Sequence, residues 1–381
     1  MPTASLASAI VLAPDSFKGT LSATAVANAM ADGIRRVRPQ ADLRMHPMAD
    51  GGEGTLEAIA AAVSAQWRHG TVVDLAGKPV EARWLSLADG TAVLESAEVI
   101  GLGRAGDSEA ARRDSTGLGQ LLGHVLTAGF RRVLIGLGGT GSNDGGAGML
   151  QALGARLCNA QGQAIGAGPA GLADLASIDL SGLDPRLQNL SLLGLADVAS
   201  PLSGPQGATA VFGPQKGVAV AEVARFDGYL ARLGDLGDAA RGAAYAAEPG
   251  SGAAGGLGWA MRILGAKLVP GAARIAELQG LDRDLAQAGW ALTGEGRSDA
   301  QTLLGKVPCL VAARAAHFGV PTVLLSGSLD DASLSVLKPH FHACLALCDG
   351  VTSQDEAMRD AARLVADRSE RWARSVFPIG A

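Results

Sequence analysis

The chain has 381 residues with a net charge of −5, and it is 48% apolar and 18% charged. That apolar content supplies a packed core and excludes global disorder. A negative balance with no lysine- or arginine-rich block argues against nucleic acid and anionic membranes as partners and favours a small molecule. The length predicts two domains. No window approaches the roughly 18 uninterrupted apolar residues of a membrane span.

Met1 to Ile10 lacks the basic region of a secretory leader and runs into the apolar stretch Ala9-Ile10-Val11-Leu12, which predicts a first strand. The loop Pro14 to Leu21 follows, then a helix capped by Ser22 with Val26, Met30, Gly33 and Val37 on one face, stopped by Pro39. A second unit repeats the plan: strand Leu43 to Met48, the loop Asp50-Gly51-Gly52-Glu53-Gly54, and a helix from Thr55. Two βα units in succession predict a parallel sheet covered by helices.

From Thr71 the pattern becomes short alternating runs, Thr71 to Leu75, Val80 to Leu87 and Ala92 to Glu95, joined by Gly77-Lys78-Pro79 and Asp89-Gly90, as in antiparallel hairpins. Helical spacing returns at Leu118, Leu121, Leu122, Val125 and Leu126, followed by strand Val133 to Ile135 and the densest glycine loop in the chain. This module continues through Leu192 to Ala196 and the Ala/Gly-rich stretch Ser251 to Gly265. The doubly wound rhythm resumes with strand Ala291 to Thr293, helix Val307 to Phe318, strands Thr322 to Leu325 and Cys344 to Leu347, and a closing helix from Asp355. The expected architecture is α/β: residues 1–70 and 286–381 form a parallel-sheet domain, interrupted by a mixed α/β domain over 71–285. Ligands of open α/β sheets bind beyond the carboxyl ends of the strands, so the site is expected in the cleft between the domains.

Cys158, Cys309, Cys344 and Cys348 form no CxxC pair, which points to a reducing cytoplasm rather than a zinc site or disulfide framework. Cys344 and Cys348, near the ends of an apolar run, read as buried thiols. His340 and His342 read as solvent-exposed, and no histidine pair has metal-ligand spacing.

Glycine accounts for 53 residues, about twice the usual share, and clusters in loops. The stretch Gly136 to Gly148 follows a strand and precedes an apolar helix from Met149, so its backbone amides can cradle phosphate oxygens. It contains GxGxxG at Gly136, Gly138 and Gly141, but no acidic residue follows at ribose spacing, which weakens a dinucleotide reading. Walker A, HRD and DFG motifs are absent, as is a GxSxG elbow. Four polar loops carry charge beside glycine: Asp15-Ser16-Phe17-Lys18-Gly19, Asp50 to Gly54, Ala196-Asp197 to Leu202, and Thr293 to Asp299 continued to Lys306. Phosphoryl transfer needs cations against the phosphates, carboxylates for magnesium, and a carboxylate to orient or deprotonate the attacking hydroxyl. These loops offer all three. Each charged residue also has a plain structural role open to it, as a turn cap, a helix cap or a solvated side chain.

Six blocks in register resemble the bacterial glycerate kinase family of glycerate and glucarate catabolism: APDSFKGTLSA (Ala13 to Ala23), ADGGEGT (Ala49 to Thr55), GGTGSNDGGAGM (Gly138 to Met149), FGPQKG (Phe212 to Gly217), GAAGGLG (Gly252 to Gly258) and TGEGRSDAQTLLGKVP (Thr293 to Pro308). The resemblance implies a flavodoxin-like domain interrupted by a second α/β domain, and transfer of the ATP γ-phosphoryl to D-glycerate to give 2-phosphoglycerate. Ser200 stands where the family commonly has Asn, and Thr140-Gly141-Ser142 where it has Ser-Ala-Thr.

Roles follow from the chemistry. Gly138, Gly139, Thr140, Ser142, Asn143, Asp144, Gly145 and Gly146 are expected at the ATP phosphates, with Asp144 a candidate for Mg2+. Lys18, Arg297 and Lys306 would neutralise the transferring phosphoryl group and the substrate carboxylate. Asp197 or Asp50 would orient or deprotonate the hydroxyl, and Asp15, Ser16, Glu53, Glu295 and Asp299 are further substrate contacts. A kinase for another small hydroxy acid, an NAD-dependent dehydrogenase and a non-catalytic sugar-acid sensor are the competing readings.

Overall fold

The computed structural model describes residues 9–303 and 305–377. In chain order its strands are β1 (Ala9–Leu12), β2 (Leu43–Met45), β3 (Ala65–Val73), β4 (Pro79–Leu87), β5 (Thr91–Glu95), β6 (Arg132–Gly136), β7 (Arg156–Cys158), β8 (Ser177–Asp179), β9 (Ser191–Leu195), β10 (Lys267–Val269), β11 (Ala288–Ser298), β12 (Thr322–Leu329) and β13 (Ala343–Ala346). The chain packs as two units. Unit 1 comprises Met1–Asp50, Glu57–Val63 and Ala272–Ala381; unit 2 comprises Gly51–Leu56 and Ser64–Gly271.

Unit 1 is built on a five-stranded sheet ordered β13-β12-β11-β1-β2, and every pairing in it is parallel. Read from the opposite edge, this is the 2-1-3-4-5 order of the flavodoxin-like sheet, with its switch point between β1 and β11. β1 is buried along its length because both faces of a parallel sheet are covered, which is why it reads as a continuous apolar run. The helix Ala23–Arg35 is capped by Ser22, whose Oγ accepts from Ala25 N at 3.2 Å, and it buries Val26, Met30 and Ile34 at helical spacing. These side chains join Ile10, Leu12, Leu292, Val323, Leu364 and Trp372 in the core. Fully burying each aliphatic side chain contributes roughly 1.5–3 kcal/mol. Gly33 fits here because a Cβ would lie 2.1 Å from the Ala366 carbonyl oxygen, so the helix Ala361–Val376 lies backbone-close against it.

Unit 2 holds a six-stranded sheet ordered β10-β9-β6-β5-β4-β3 and a two-stranded sheet of β7 and β8. β10, β9, β6 and β5 run parallel, while β4 and β3 form the antiparallel edge. Its core gathers Leu94, Ile135, Leu121, Leu122, Leu150 and Trp259.

Several elements differ from the sequence expectation. β3 begins at Ala65 rather than Thr71, because an edge strand with exposed Trp67, Arg68 and His69 lacks an apolar alternation. β11 continues through Glu295 and Arg297 to Ser298, so the stretch expected as a loop is extended strand. Glycine serves close approach there: a Cβ on Gly294 would meet Leu325 O at 2.1 Å. Residues 272–285, expected in the inserted domain, pack with unit 1, where Gln279 Nε2 donates to Pro47 O at 2.8 Å and Arg314 Nη1 to Asp282 Oδ2 at 2.8 Å. The closing helix is two, Gln354–Arg359 and Ala361–Val376, parted at Asp360. Cys344 and Cys348 are half-buried, not buried, whereas Cys158 is buried. Among the described residues no helix is long and apolar enough to cross a membrane.

Candidate active site

In unit 1, chemistry-bearing side chains collect past the carboxyl ends of β1 and β11. The segment after β1 is hydrogen-bonded alongside β11: Ala13 N donates to Leu292 O at 2.8 Å, Thr293 Oγ1 to Ala13 O at 2.8 Å, and Asp15 N to Gly294 O at 2.8 Å. The two segments run close together here: a Cβ on Gly296 would be in van der Waals contact with Lys18 N, at 3.4 Å. Asp15 is thereby fixed at the switch point, with Ser16 N donating to its Oδ1 at 2.7 Å. Burial, aided by the charge of Asp50, pushes the Asp15 carboxyl up to about 7; Ser16 N–H and Lys18 oppose the shift, and Glu295 adds to it. Such a group is a proton acceptor poised near neutrality.

Glu295 is buried on β11. Its Oε1 accepts from Thr302 Oγ1 at 2.6 Å and Ser298 Oγ at 3.0 Å, and Ser298 Oγ lies 2.6 Å from Ser326 Oγ. Its Oε2 lies 3.4 Å from Lys306 Nζ, which is also 3.9 Å from Asp299 Oδ1. The hydroxyls leave one carboxylate oxygen to hold the lysine. Arg297, the next outward-facing position on the strand, has a side chain 75% exposed with only a 3.9 Å approach to Asp299. Lys18 and Asp50 are likewise exposed.

In unit 2, two glycine loops lie backbone to backbone. Gly138 N donates to Gly51 O at 3.0 Å, and a Cβ on Gly138 would sit 2.5 Å from Gly52 Cα. Glu95, at the end of β5, shapes the first loop by accepting from Gly54 N at 3.2 Å and Leu56 N at 3.1 Å. Glu53 is exposed beside Gly139, whose Cβ would be 3.8 Å from that of Glu53.

Asp144 holds the second loop together. Its Oδ2 accepts from Ser115 Oγ at 2.7 Å, Ser115 N at 3.0 Å and Gly148 N at 3.1 Å, and its Oδ1 from Gly146 N at 3.2 Å. The carboxylate is fully buried and is taken up by four donors of the protein itself. Among the described residues no group of three or more His, Cys, Asp or Glu side chains could hold a metal ion. Asp114, beside Asp144, is raised to about 6, first by burial and then by that neighbouring charge.

Comparison with known proteins then bears on this arrangement. Residues 10–377 match the model of the glycerate kinase family. The chain belongs to the glycerate kinase family. It is 40% identical over 371 residues to the glycerate kinase of Bacillus subtilis strain 168, covering 96% of each chain. It is 41% identical over 360 residues to the glycerate 2-kinase of Escherichia coli K12, covering 92% of this chain and 93% of that one. A crystal structure assigned to glycerate kinase 2 of Salmonella typhimurium LT2 superposes with a TM-score of 0.84 at 38% identity, covering 97% and 98% of the two chains.

For this glycerate kinase family member, the structure brings together the expected Asp15, Ser16, Lys18, Glu295, Asp299 and Lys306 within unit 1. Asp197 belongs to unit 2, two residues past β9, where its Oδ1 accepts from Gly271 N at 3.1 Å, the first residue of the helix Gly271–Gln279. Thr140, Ser142 and Asn143 are buried in the glycine loop. Sequence reasoning assigned no role to Glu95 or Lys216. Glu95 ends an unremarkable strand. Lys216 sits inside the FGPQKG block, between residues that turn the chain, and only its burial distinguishes it from a surface lysine.

Proposed function

We propose that the chain transfers the γ-phosphoryl group of ATP to D-glycerate, giving 2-phosphoglycerate and ADP, in the cytoplasm. The observation that carries this reading is the Asp15 carboxyl at the β1/β11 switch point, held near neutrality among Asp50, Lys18 and Glu295. Asp15 takes the proton of the glycerate hydroxyl as the oxygen–phosphorus bond forms and the bond to the ADP oxygen breaks. Asp50 keeps the pair's combined charge high enough to make that uptake favourable. Arg297 is exposed and only approaches Asp299, at 3.9 Å, among the described residues, so its guanidinium suits bidentate capture of the glycerate carboxylate. Lys18 and Lys306 offset the charge that develops on the phosphoryl oxygens.

The glycine loop Gly138 to Gly146 receives the nucleotide phosphates. Mg2+ binds with one or two protein carboxylates plus substrate phosphates, and Glu53, exposed beside Gly139, is the carboxylate that fits. The ion would neutralise charge on the transferring group. Support for glycerate as substrate, and for its 2-hydroxyl, comes from the relatives: the Escherichia coli protein is a glycerate 2-kinase by name. The four free cysteines support a reducing compartment.

A coupled assay of ADP release with D-glycerate, set beside other small hydroxy acids and NAD reduction, tests the reading. ADP formation specific to D-glycerate is expected, with the product hydroxyl assigned by phosphorus NMR. No ADP with any acid would refute it.

A further inference from the structure

Lys216 is 4% exposed, and its ammonium donates to Thr140 Oγ1 at 3.1 Å and to the Ser142 carbonyl at 2.7 Å. An ammonium has three protons, so these two bonds leave one donor unassigned. At the same turn of the glycine loop, the Ser142 hydroxyl and one amide atom of Asn143 are buried and have no hydrogen-bond partner among the described residues. Asn143 Nδ2 donates to Thr209 Oγ1 at 2.9 Å, so the unpartnered atom is Oδ1. Amide oxygen and nitrogen are interchangeable by rotation, and with Thr209 as donor the unpartnered Asn143 atom becomes an N–H. Buried polar groups without partners are rare because each loses its water without compensation. Two of them beside a buried cation form a set waiting for a ligand oxygen.

Backbone packs closely around these groups. Gly255 faces the ammonium, since a Cβ there would come within 3.0 Å of Lys216 Nζ and 2.3 Å of Ser142 O. The charged groups around Lys216 are Asp144, which acts on its ammonium, Arg113, whose Nη1 donates to the Lys216 carbonyl at 2.7 Å, and Asp114, which acts on Asp144. All oxygens of Asp144 are engaged by Ser115, Gly146 and Gly148, so no carboxylate closes the ammonium's hydrogen bonding.

We infer that Lys216, Ser142 and Asn143 form a buried subsite for the phosphate oxygens of the nucleotide, with Lys216 supplying the charge. This deepens the kinase reading and rests on it for the identity of the anion. An ammonium, a hydroxyl and an amide are three separate polar groups, which suits the several oxygens of a phosphate. Desolvation lowers the Lys216 ammonium to about 7, opposed by Asp144; a bound phosphate restores the charged form.

Calorimetric titration of the full chain with ADP, with inorganic pyrophosphate and with D-glycerate tests this on Lys216→Met and Ser142→Ala. Lys216→Met should weaken ADP and pyrophosphate at least about tenfold and leave D-glycerate unchanged. Ser142→Ala removes an atom with no protein partner, so it should melt at the wild-type temperature and bind ADP about threefold more weakly. If Lys216→Met does not fold, Ser142→Ala decides alone. Unchanged ADP and pyrophosphate binding in Ser142→Ala, or a loss confined to D-glycerate, overturns the subsite. Wild-type protein that binds ADP in this manner but releases none from ATP in the presence of D-glycerate would sink the kinase reading and leave the subsite standing.

Discussion

Glu95 accepts from the amide of Leu56 at 3.1 Å, so a buried carboxylate at the end of β5 caps the chain as it leaves the Asp50–Gly54 loop. Its second oxygen takes the Gly54 amide at 3.2 Å. Replacing it by Ala strands the buried Leu56 amide and the half-buried Gly54 amide and should destabilise unit 2 by about 2 kcal/mol. Chemical denaturation of Glu95→Ala against wild type measures this. Glu95→Gln, which keeps one acceptor, should lose about half as much.

The raised Asp15 carboxyl sets a pH dependence in two readouts. Below its ordinary value of 3.8 the group is protonated in folded and unfolded chains alike; between there and about 7 only the folded protein still binds the proton. The unfolded state therefore holds fewer protons, and this group's contribution to stability declines as pH rises through that window. Asp15→Asn should flatten the decline, seen as a smaller drop in melting temperature between pH 5 and pH 8. As the proton acceptor, wild-type Asp15 should also give kcat/KM that rises with pH and levels off above about 7. Activity of Asp15→Asn within about tenfold of wild type would remove Asp15 from the chemistry.

Arg297 is mostly exposed, so removing it leaves the packing intact. Arg297→Ala should unfold within about 0.5 kcal/mol of wild type yet lose about 100-fold or more in kcat/KM, mostly through KM for D-glycerate. Lys18→Ala should leave the fold equally unperturbed and lower kcat instead, since its charge is needed most as the phosphoryl group transfers. Steady-state kinetics in both substrates separates the two.

The segment Ala254-Gly255-Gly256 runs through three left-handed residues, with φ of 55°, 71° and 95°. Gly255→Ala would place a Cβ 2.3 Å from the Ser142 carbonyl in a conformation that already disfavours a side chain, and should cost about 2 kcal/mol or more. Ala254→Gly relieves the left-handed alanine and should change stability by less than about 1 kcal/mol. Urea denaturation of the pair tests whether backbone approach, rather than helix propensity, dictates glycine here.

The βα rhythm of unit 1 was readable because a parallel strand buried on both faces leaves an apolar run, as in Ala9–Leu12, and because Ser22 marks its helix start. β3 was half-hidden, since an edge strand exposing Trp67 and Arg68 carries no such signature. Glycine density picked out the two loops that lie backbone to backbone in unit 2 but misled at Gly294, where glycine serves strand packing rather than a turn. Asp197 and Asp144 stood out in the sequence by their charge; what spacing could not give is their partners, a helix start for one and a loop for the other.

From the sequence alone came the family blocks, the alternation of strands and helices, and the charged residues placed after strands, all of which are properties of neighbouring positions. Tertiary structure decided which of those charges share a site and in what state. Asp15 is raised first by its burial at the switch point and then by the charges of Asp50 and Glu295, which the fold brings to it from other parts of the chain. Lys216 becomes distinctive only once a loop some seventy residues earlier closes over it. Desolvation and proximity act through space, and neither is written in the spacing of residues along a chain.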